Sequence, residues 1–355
     1  MKKINIFLKD ITESGGGERV CANLANAFCS DYEVEIFSFY KSQPNPIYEL
    51  NKKVRITYLS PYDLKNAKGF KKIFLKSFCR YFLSLKIIFH FRQKNDEILL
   101  ANDGYFVPFF KNKTLKYLRI WHIKAPKKKK MVFNRFDTII ILSSKELEKW
   151  KKWHKNIQVI PNFLPFISTK ESDLSQKVVL SVGRMDKGDQ KGFFRLIDIW
   201  EIVQKSKKYK EWKLHIVGDG ILKKEIQDKI KIKKLEKSII LKPFIKEIEK
   251  EYLKASIYAL TSHFEGFPMI LLESSNYGIP SVAFNINTGP SDIIENKKSG
   301  FLIEDGNLEE FANKLQVLML DGNSRKQMGQ KTKEIIYNNF SKEKIMKKWK
   351  KLLDF

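Results

Sequence analysis

Residues 262–280, SHFEGFPMILLESSNYGIP, place two carboxylates, Glu265 and Glu273, around the start of an apolar helix. Pro268 suits the first helical position. The free N–H groups of that first turn, with the helix dipole, attract phosphate. An ionised acid repels phosphate but accepts hydrogen bonds from sugar hydroxyls. Together they fit a ligand with hydroxyls on both sides of a phosphate, the shape of a nucleotide sugar. Two glutamates eight apart are common, so the reading rests on their setting and not on the spacing.

A second stretch, SVGRMDKGDQKGF (181–193), supplies cations where a strand becomes a loop: Arg184 after Gly183, then Lys187 and Lys191. Fixed cations stabilise the charge that builds on a departing diphosphate, each charge-assisted hydrogen bond contributing roughly 1.5–3 kcal/mol. In isolation the same residues read as a solvated basic loop. HIVGDG (215–220) ends another strand with Gly218 and Gly220, which admit a ring or ribose close to the backbone. SGGGERV (14–20) sets Gly16 and Gly17 between a strand and a helix start, with N–H groups open to an anion. It is not the dinucleotide fingerprint: counting from Gly15 and Gly17, the third glycine position holds Val20.

These loops need strands and helices to hold them. INIFL, EVEIFSF, EILLA, LKYLRIW, TIIIL and IQVI read as strands of a first half, and VVLSV, LHIV, SIIL, IYAL and SVAF as strands of a second. Helical stretches of about a dozen residues alternate with them, which argues for parallel sheets wrapped by helices. The fold class is therefore α/β, two doubly wound domains in series, with ligands beyond the carboxyl ends of the strands. The expected domains are 1–163 and 164–335, with 336–355 a basic amphipathic helix. The polar segment ISTKESDLSQK (167–177) reads as a linker.

The chain has 355 residues, 67 basic against 40 acidic, for a formal net charge of +27. That charge implies anionic partners. Cys21, Cys29 and Cys79 lack metal-type spacing and read as reduced thiols. No apolar run approaches the roughly 18 residues of a membrane span, and the basic start is too short for a signal peptide. The expected location is cytoplasmic.

EGFPMILLE together with VGR, QKG, GDG and the early GGGER resembles the retaining glycosyltransferases of family 4 across both halves of the chain. SHFEGFPMILLES, YGIP and TGPSDII resemble most the bacterial lipopolysaccharide-core galactosyltransferases. The resemblance implies the GT-B fold, two Rossmann-like domains facing a central cleft, with the last helix crossing back to the first. It implies that Glu273 binds the nucleotide ribose, and that Glu265 faces the donor sugar with Gly266, Phe267, Pro268 and Met269. Arg184 and Lys191 hold the diphosphate, beside Gly183, Gly218 and Gly220. Lys187 is set aside because the subgroup places its lysine directly after Gln190. Gly16 and Gly17 border the donor phosphates and the acceptor, and His122, in RIWHIKAP, lies near the transferred sugar. The implied reaction moves a hexose, galactose by resemblance, from a UDP-sugar to a glycan or lipid-linked acceptor with retention. No Asp-x-Asp pair offers a metal site, so no metal or further cofactor is expected.

Residues 65–94 carry nine basic residues and no acidic one. Lys72, Lys76, Arg80 and Ser84 recur every fourth residue amid Phe, Ile and Leu, a pattern for an amphipathic helix in an anionic membrane surface. A core-packed helix with a solvated basic face fits the same pattern. With APKKKKM (125–131), this places the protein at the inner face of the membrane. Two other readings stand beside the enzyme. One is a nucleic-acid-binding protein, for which no recognised module appears; the other is an inactive GT-B sugar-binding module.

Overall fold

The computed structural model describes residues 1–60 and 67–354. The chain divides into two compact units, Met1–Pro165 with Met346–Phe355, and Phe166–Ile345. These divisions compare with 163/164 and 335/336 in the sequence reading.

The first unit holds seven parallel strands in the order β3-β2-β1-β4-β5-β6-β7. They are β1 (Lys3–Leu8), β2 (Glu33–Ser38), β3 (Arg55–Tyr58), β4 (Glu97–Ala101), β5 (Lys116–Trp121), β6 (Thr138–Ile141) and β7 (Ile157–Val159). From Ile4 onward β1 is buried at every position, as a strand covered on both faces must be. Phe7 stacks on Phe37 at 5.1 Å and on Phe106 at 4.3 Å. Helix α1 (Gly16–Phe28) buries Val20, Leu24, Ala27 and Phe28 along one side. Cys21, Cys29 and Cys79 are free thiols. Strand β3 had no sequence signal: it is four residues long, half-buried and at the sheet edge.

The second unit holds six parallel strands in the order β10-β9-β8-β11-β12-β13. They are β8 (Val178–Val182), β9 (Lys213–Val217), β10 (Ile239–Lys242), β11 (Ile257–Leu260), β12 (Ser281–Phe284) and β13 (Gly300–Ile303). Phe193, Leu196, Ile197 and Trp200 of helix α5 (Phe193–Gln204) pack into its core; a fully buried side chain of this size stabilises by about 1.5–3 kcal/mol. Helices α6 (Lys223–Ile232), α8 (Met269–Asn276), α10 (Leu308–Leu320) and α11 (Gly322–Phe340) complete it. The helices after β10 and β12, α7 (Glu249–Tyr252) and α9 (Pro290–Ile293), are single turns instead of the expected dozen residues.

The 167–177 segment is no free linker. Ser168 N donates to Asn276 Oδ1 (3.0 Å), Ser172 N to Tyr277 O (2.9 Å) and Asp173 N to Leu253 O (3.2 Å), so it is tied along the second unit. The final helix, α12 (Lys342–Leu353), buries Ile345, Met346, Trp349 and Leu353. Within the first unit, Trp349 meets Phe28 edge-on at 5.3 Å.

The basic segment also departs from expectation. Its residues 65 and 66, and the side chains of Lys72 and Lys76, lie outside the described residues. Helices α2 (Gly69–Phe74) and α3 (Arg80–His90) are joined by a π-helical stretch, Leu75–Cys79. The wider turn breaks the four-residue register. Ser84, expected on the basic stripe, is instead fully buried, its Oγ accepting from Val107 N at 3.2 Å. Leu83 and Ile87 face the core with it, while Phe70, Phe74, Phe78, Phe82 and Phe89 are exposed. The segment is core-packed on one side and exposes its aromatic side.

In each sheet the strand order reverses once, between β1 and β4 and between β8 and β11. Loops leaving the carboxyl ends of such a pair diverge and open a crevice, where ligands bind in open α/β sheets. The loops after β1, β4, β8 and β11 are those the sequence singled out, with one addition: the loop after β4.

Candidate functional site

In the second unit the loops after β8 and β11 are fastened together. His263 N donates to Gln190 O (2.8 Å), Gln190 Nε2 to Phe264 O (3.1 Å), and Thr261 Oγ1 to Lys191 O (3.1 Å) and Gly192 O (3.0 Å). Arg195 donates to the carbonyls of Thr261 and Ser262 and pairs with Asp305 at 2.7 Å. Its guanidinium lies 4.1 Å over the Phe284 ring. Gly192 has φ +69°, and a Cβ there would lie 1.9 Å from Thr261 O.

This fastening sets the central pair. Lys191 Nζ lies 2.7 Å from Glu265 Oε1, which also accepts from Ser262 Oγ at 2.6 Å. Thr288 Oγ1, in the loop after β12, donates to Glu265 O at 2.6 Å. Glu265 is buried and Lys191 mostly so, whereas Arg184 is exposed and sits 3.1 Å from Asp186. Lys187 is exposed. Arg184, Lys191 and Glu265 therefore come from two adjacent loops at one switch point. None of Ser262, Thr288 and Arg195 was singled out beforehand; short polar side chains and a lone arginine carry no spacing signal.

Pro268 is the extended residue capping α8, and the helix begins at Met269, one place later than expected. Gly266 is partly exposed and Phe267 buried. Except for Ile270, every residue of α8 is buried. Glu273 accepts from Tyr252 Oη at 3.1 Å, a partner from α7 that the sequence reading missed. Burial pushes the Tyr258 hydroxyl far above its usual range, and the charges of Glu265 and Glu273 add to the effect.

The glycines of HIVGDG are explained by protein backbone. A Cβ at Gly218 would lie 1.9 Å from Gly183 O, and one at Gly220 2.4 Å from Met185 O. They let the loops after β8 and β9 press together, so they do not by themselves argue for a ligand. At Gly183 a Cβ would meet Lys191 Cγ at 2.7 Å, so this glycine makes room for the lysine.

In the first unit, Gly16 has open space where a Cβ would stand. The Glu18 carboxylate folds over Gly15, Oε2 being 2.0 Å from where that Cβ would be. Burial pushes Glu18 up to about 7, with Glu13 and Asp103 adding to the rise. The helix start thus carries its own acid, and this loop suits hydroxyls better than the anion expected at Gly16 and Gly17. His122, at the end of β5, is half-buried with Nε2 3.1 Å from Asn102 Oδ1. Burial pushes its imidazole down to about 4, and Arg119 acts in the same direction. Asn102, in the loop after β4, also donates from Nδ2 to Gly17 O at 3.0 Å. It closes the buried run EILLA, and a polar residue ending a central strand is the signal that could have found it. Among the described residues no cluster of three or more His, Cys, Asp or Glu is placed to hold a metal.

The family described as glycosyl transferases group 1 matches residues 165–335. The amylovoran biosynthesis glycosyltransferase AmsD of Erwinia amylovora is 30% identical over 375 residues, covering all of both chains. The chain belongs to the group 1 glycosyltransferases. It is an enzyme by that membership. The Campylobacter jejuni α-1,4-N-acetyl-D-galactosaminyltransferase acting on a GalNAc-containing diNAcBac-PP-undecaprenol is 26% identical, covering 99% of this chain and 98% of that one. The lipopolysaccharide 1,6-galactosyltransferase of Escherichia coli is 33% identical over 138 residues, 38% of this chain and 37% of that one. Among solved structures, Staphylococcus aureus TarM, in complex with fondaparinux, α-GlcNAc-glycerol and UDP, has a TM-score of 0.82 at 18% identity over 100% of both chains. That likeness shows the GT-B fold. In this group 1 glycosyltransferase the matched region spans the loops after β8 and β11 that carry Arg184, Lys191 and Glu265, and helix α8 that carries Glu273.

Proposed function

We propose that the enzyme transfers a hexose or N-acetylhexosamine from a UDP-sugar to a bacterial surface glycan carried on a lipid, with retention and without a metal. The observation that carries this reading is the Lys191–Glu265–Ser262 cluster at the β8/β11 switch point. A cation joined to a carboxylate exchanges that partner for phosphate when a diphosphate arrives, and frees the carboxylate for a sugar hydroxyl. Arg184 and Lys191 supply the positive charge that a departing UDP needs, and Glu273, oriented by Tyr252, takes the ribose. Galactose follows from the lipopolysaccharide-core resemblance. The Campylobacter relative, similar over nearly the whole chain, is named for N-acetylgalactosamine and a lipid-linked acceptor, so both sugars belong in the first trials.

The exposed phenylalanines of α2 and α3 support attachment at the membrane, where a lipid-linked acceptor resides. Lys68, Lys86 and Lys127–Lys130 are exposed as well, and each base near an anionic surface is worth about 1 kcal/mol. No helix among the described residues is long and apolar enough to cross a membrane. The reading places the enzyme on the cytoplasmic face.

The test is transfer from UDP-galactose and UDP-N-acetylgalactosamine to undecaprenyl-diphosphate glycans, with and without EDTA, and the product's anomeric configuration read by NMR. An α-linked product from an α-donor, formed equally with EDTA, is expected. An inverted linkage, or activity lost to EDTA and restored by a divalent cation, contradicts it.

A further inference from the structure

Asn102 stands directly after β4, at the switch point of the first sheet, and is 1% exposed. Its backbone N–H donates to Phe7 O at 2.8 Å, which fastens it to the end of β1. Its side-chain amide is occupied at both ends. Nδ2 lies 3.0 Å from Gly17 O, in the first turn of α1, and Oδ1 lies 3.1 Å from His122 Nε2. A carbonyl oxygen only accepts, so the nitrogen end must face Gly17. The flipped amide would set oxygen against oxygen in a buried place and leave a polar group unsatisfied, which costs roughly 1–3 kcal/mol. The oxygen end therefore faces His122, and Nε2 must carry the hydrogen. Nδ1 has no side-chain partner among the described residues, and a backbone hydrogen bond to Asn102 acts on the ring toward its charged form.

We infer that Asn102 is a positioning residue, holding His122 as the Nε2–H tautomer so that Nδ1 is the acceptor for a hydroxyl of the transferred sugar. The inference rests on the reading of His122 as facing that sugar. It links three segments, the glycine-rich loop, the β4 loop and the end of β5, through one amide. The charged neighbours are Arg119 on β5, Asp103 beside Asn102 and Glu18 beside Gly17; of these Arg119 acts on the imidazole, against protonation. A neutral ring is what an acceptor at Nδ1 requires, because an imidazolium only donates.

The test begins with imidazole nitrogen NMR on the 15N-labelled full chain without substrate. His122 is expected neutral with Nε2–H from pH 6 to 8. The Nδ1–H tautomer, or an imidazolium in that range, overturns the inference. Asn102→Asp then sets a carboxylate beside Nε2 and favours the charged ring. The His122 midpoint is expected to rise by about one pH unit or more. Nucleotide release by this variant, read as kcat/KM, is expected to fall about twofold or more between pH 8 and pH 5 relative to wild type. A loss of the same size at every pH marks a merely structural residue and overturns it. The NMR result stands whichever donor the enzyme uses, so failure of the nucleotide-sugar reading is seen separately, as absent turnover in wild type.

Discussion

Lys191 Nζ and Glu265 Oε1 are 2.7 Å apart, on loops from adjacent central strands of one sheet. Each offsets the charge of the other. On the proposed reading, a ligand bearing phosphate on one side and hydroxyls on the other would part this pair, taking the lysine with its phosphate and the carboxylate with its hydroxyls.

Lys191→Ala removes the buried cation and leaves Glu265 with Ser262 alone. Turnover is expected to fall on the order of 100-fold or more, by analogy with removing one anion-stabilising donor. Steady-state kinetics beside a melting curve will separate this from unfolding. Near-wild-type turnover would show that the diphosphate is held elsewhere.

Gly192→Ala tests how the two loops are fastened. With φ +69° and Thr261 O 1.9 Å from the new Cβ, the substitution meets both backbone strain and a clash. A loss of ~3 kcal/mol or more is expected in denaturant titration, with weaker nucleotide binding because the Glu265 loop must move. A loss under about 0.5 kcal/mol would contradict the described packing.

His122 makes stability depend on pH. Its folded-state value is held down to about 4 by burial, against about 6.5 in the unfolded chain. Between these values the unfolded state binds the extra proton, so this contribution is full above about pH 6.5 and is lost as pH falls toward 4. Its size is at most ~3 kcal/mol, less for a ring that is partly exposed. His122→Asn should flatten the wild-type slope of unfolding free energy across that window; an unchanged slope would contradict the burial of a neutral ring.

The exposed aromatic face of α2 and α3 has its own test. Phe78→Ser with Phe82→Ser should lower the fraction sedimenting with phosphatidylglycerol vesicles about tenfold or more, at roughly 1.5–3 kcal/mol for each fully buried ring. The folded chain should keep its melting temperature, since neither ring is buried in the protein. Wild-type protein that stays in the supernatant at low salt would end the membrane reading.

Both sheets were legible in the sequence because parallel strands buried on two faces leave apolar runs such as INIFL and IYAL. Strand β3 (RITY) and β13 (GFLI) were not, since four residues at a sheet edge show no distinctive period. Glu265 and Lys191 were singled out by the family resemblance; by residue pattern alone Lys187 stood beside Lys191, and the glutamate spacing carried little. Ser262, Thr288 and Arg195 were not, since their roles exist only once two loops meet. The four-residue recurrence of Lys72, Lys76, Arg80 and Ser84 misled, because a π-helical turn shifts the register within it. The glycines of HIVGDG were noticed for a ligand, yet the structure assigns them to the backbone of the neighbouring loop.

The most direct test of the central claim is nucleotide release from a panel of UDP-, GDP- and ADP-sugars without acceptor, comparing wild type with Glu273→Ala. Slow release from one or a few UDP-sugars, lost in the variant while its fold is kept, is the expected result. Release from wild type and variant alike would contradict the assignment of Glu273 to the ribose. Absence of both turnover and binding for every nucleotide sugar would contradict the account as a whole.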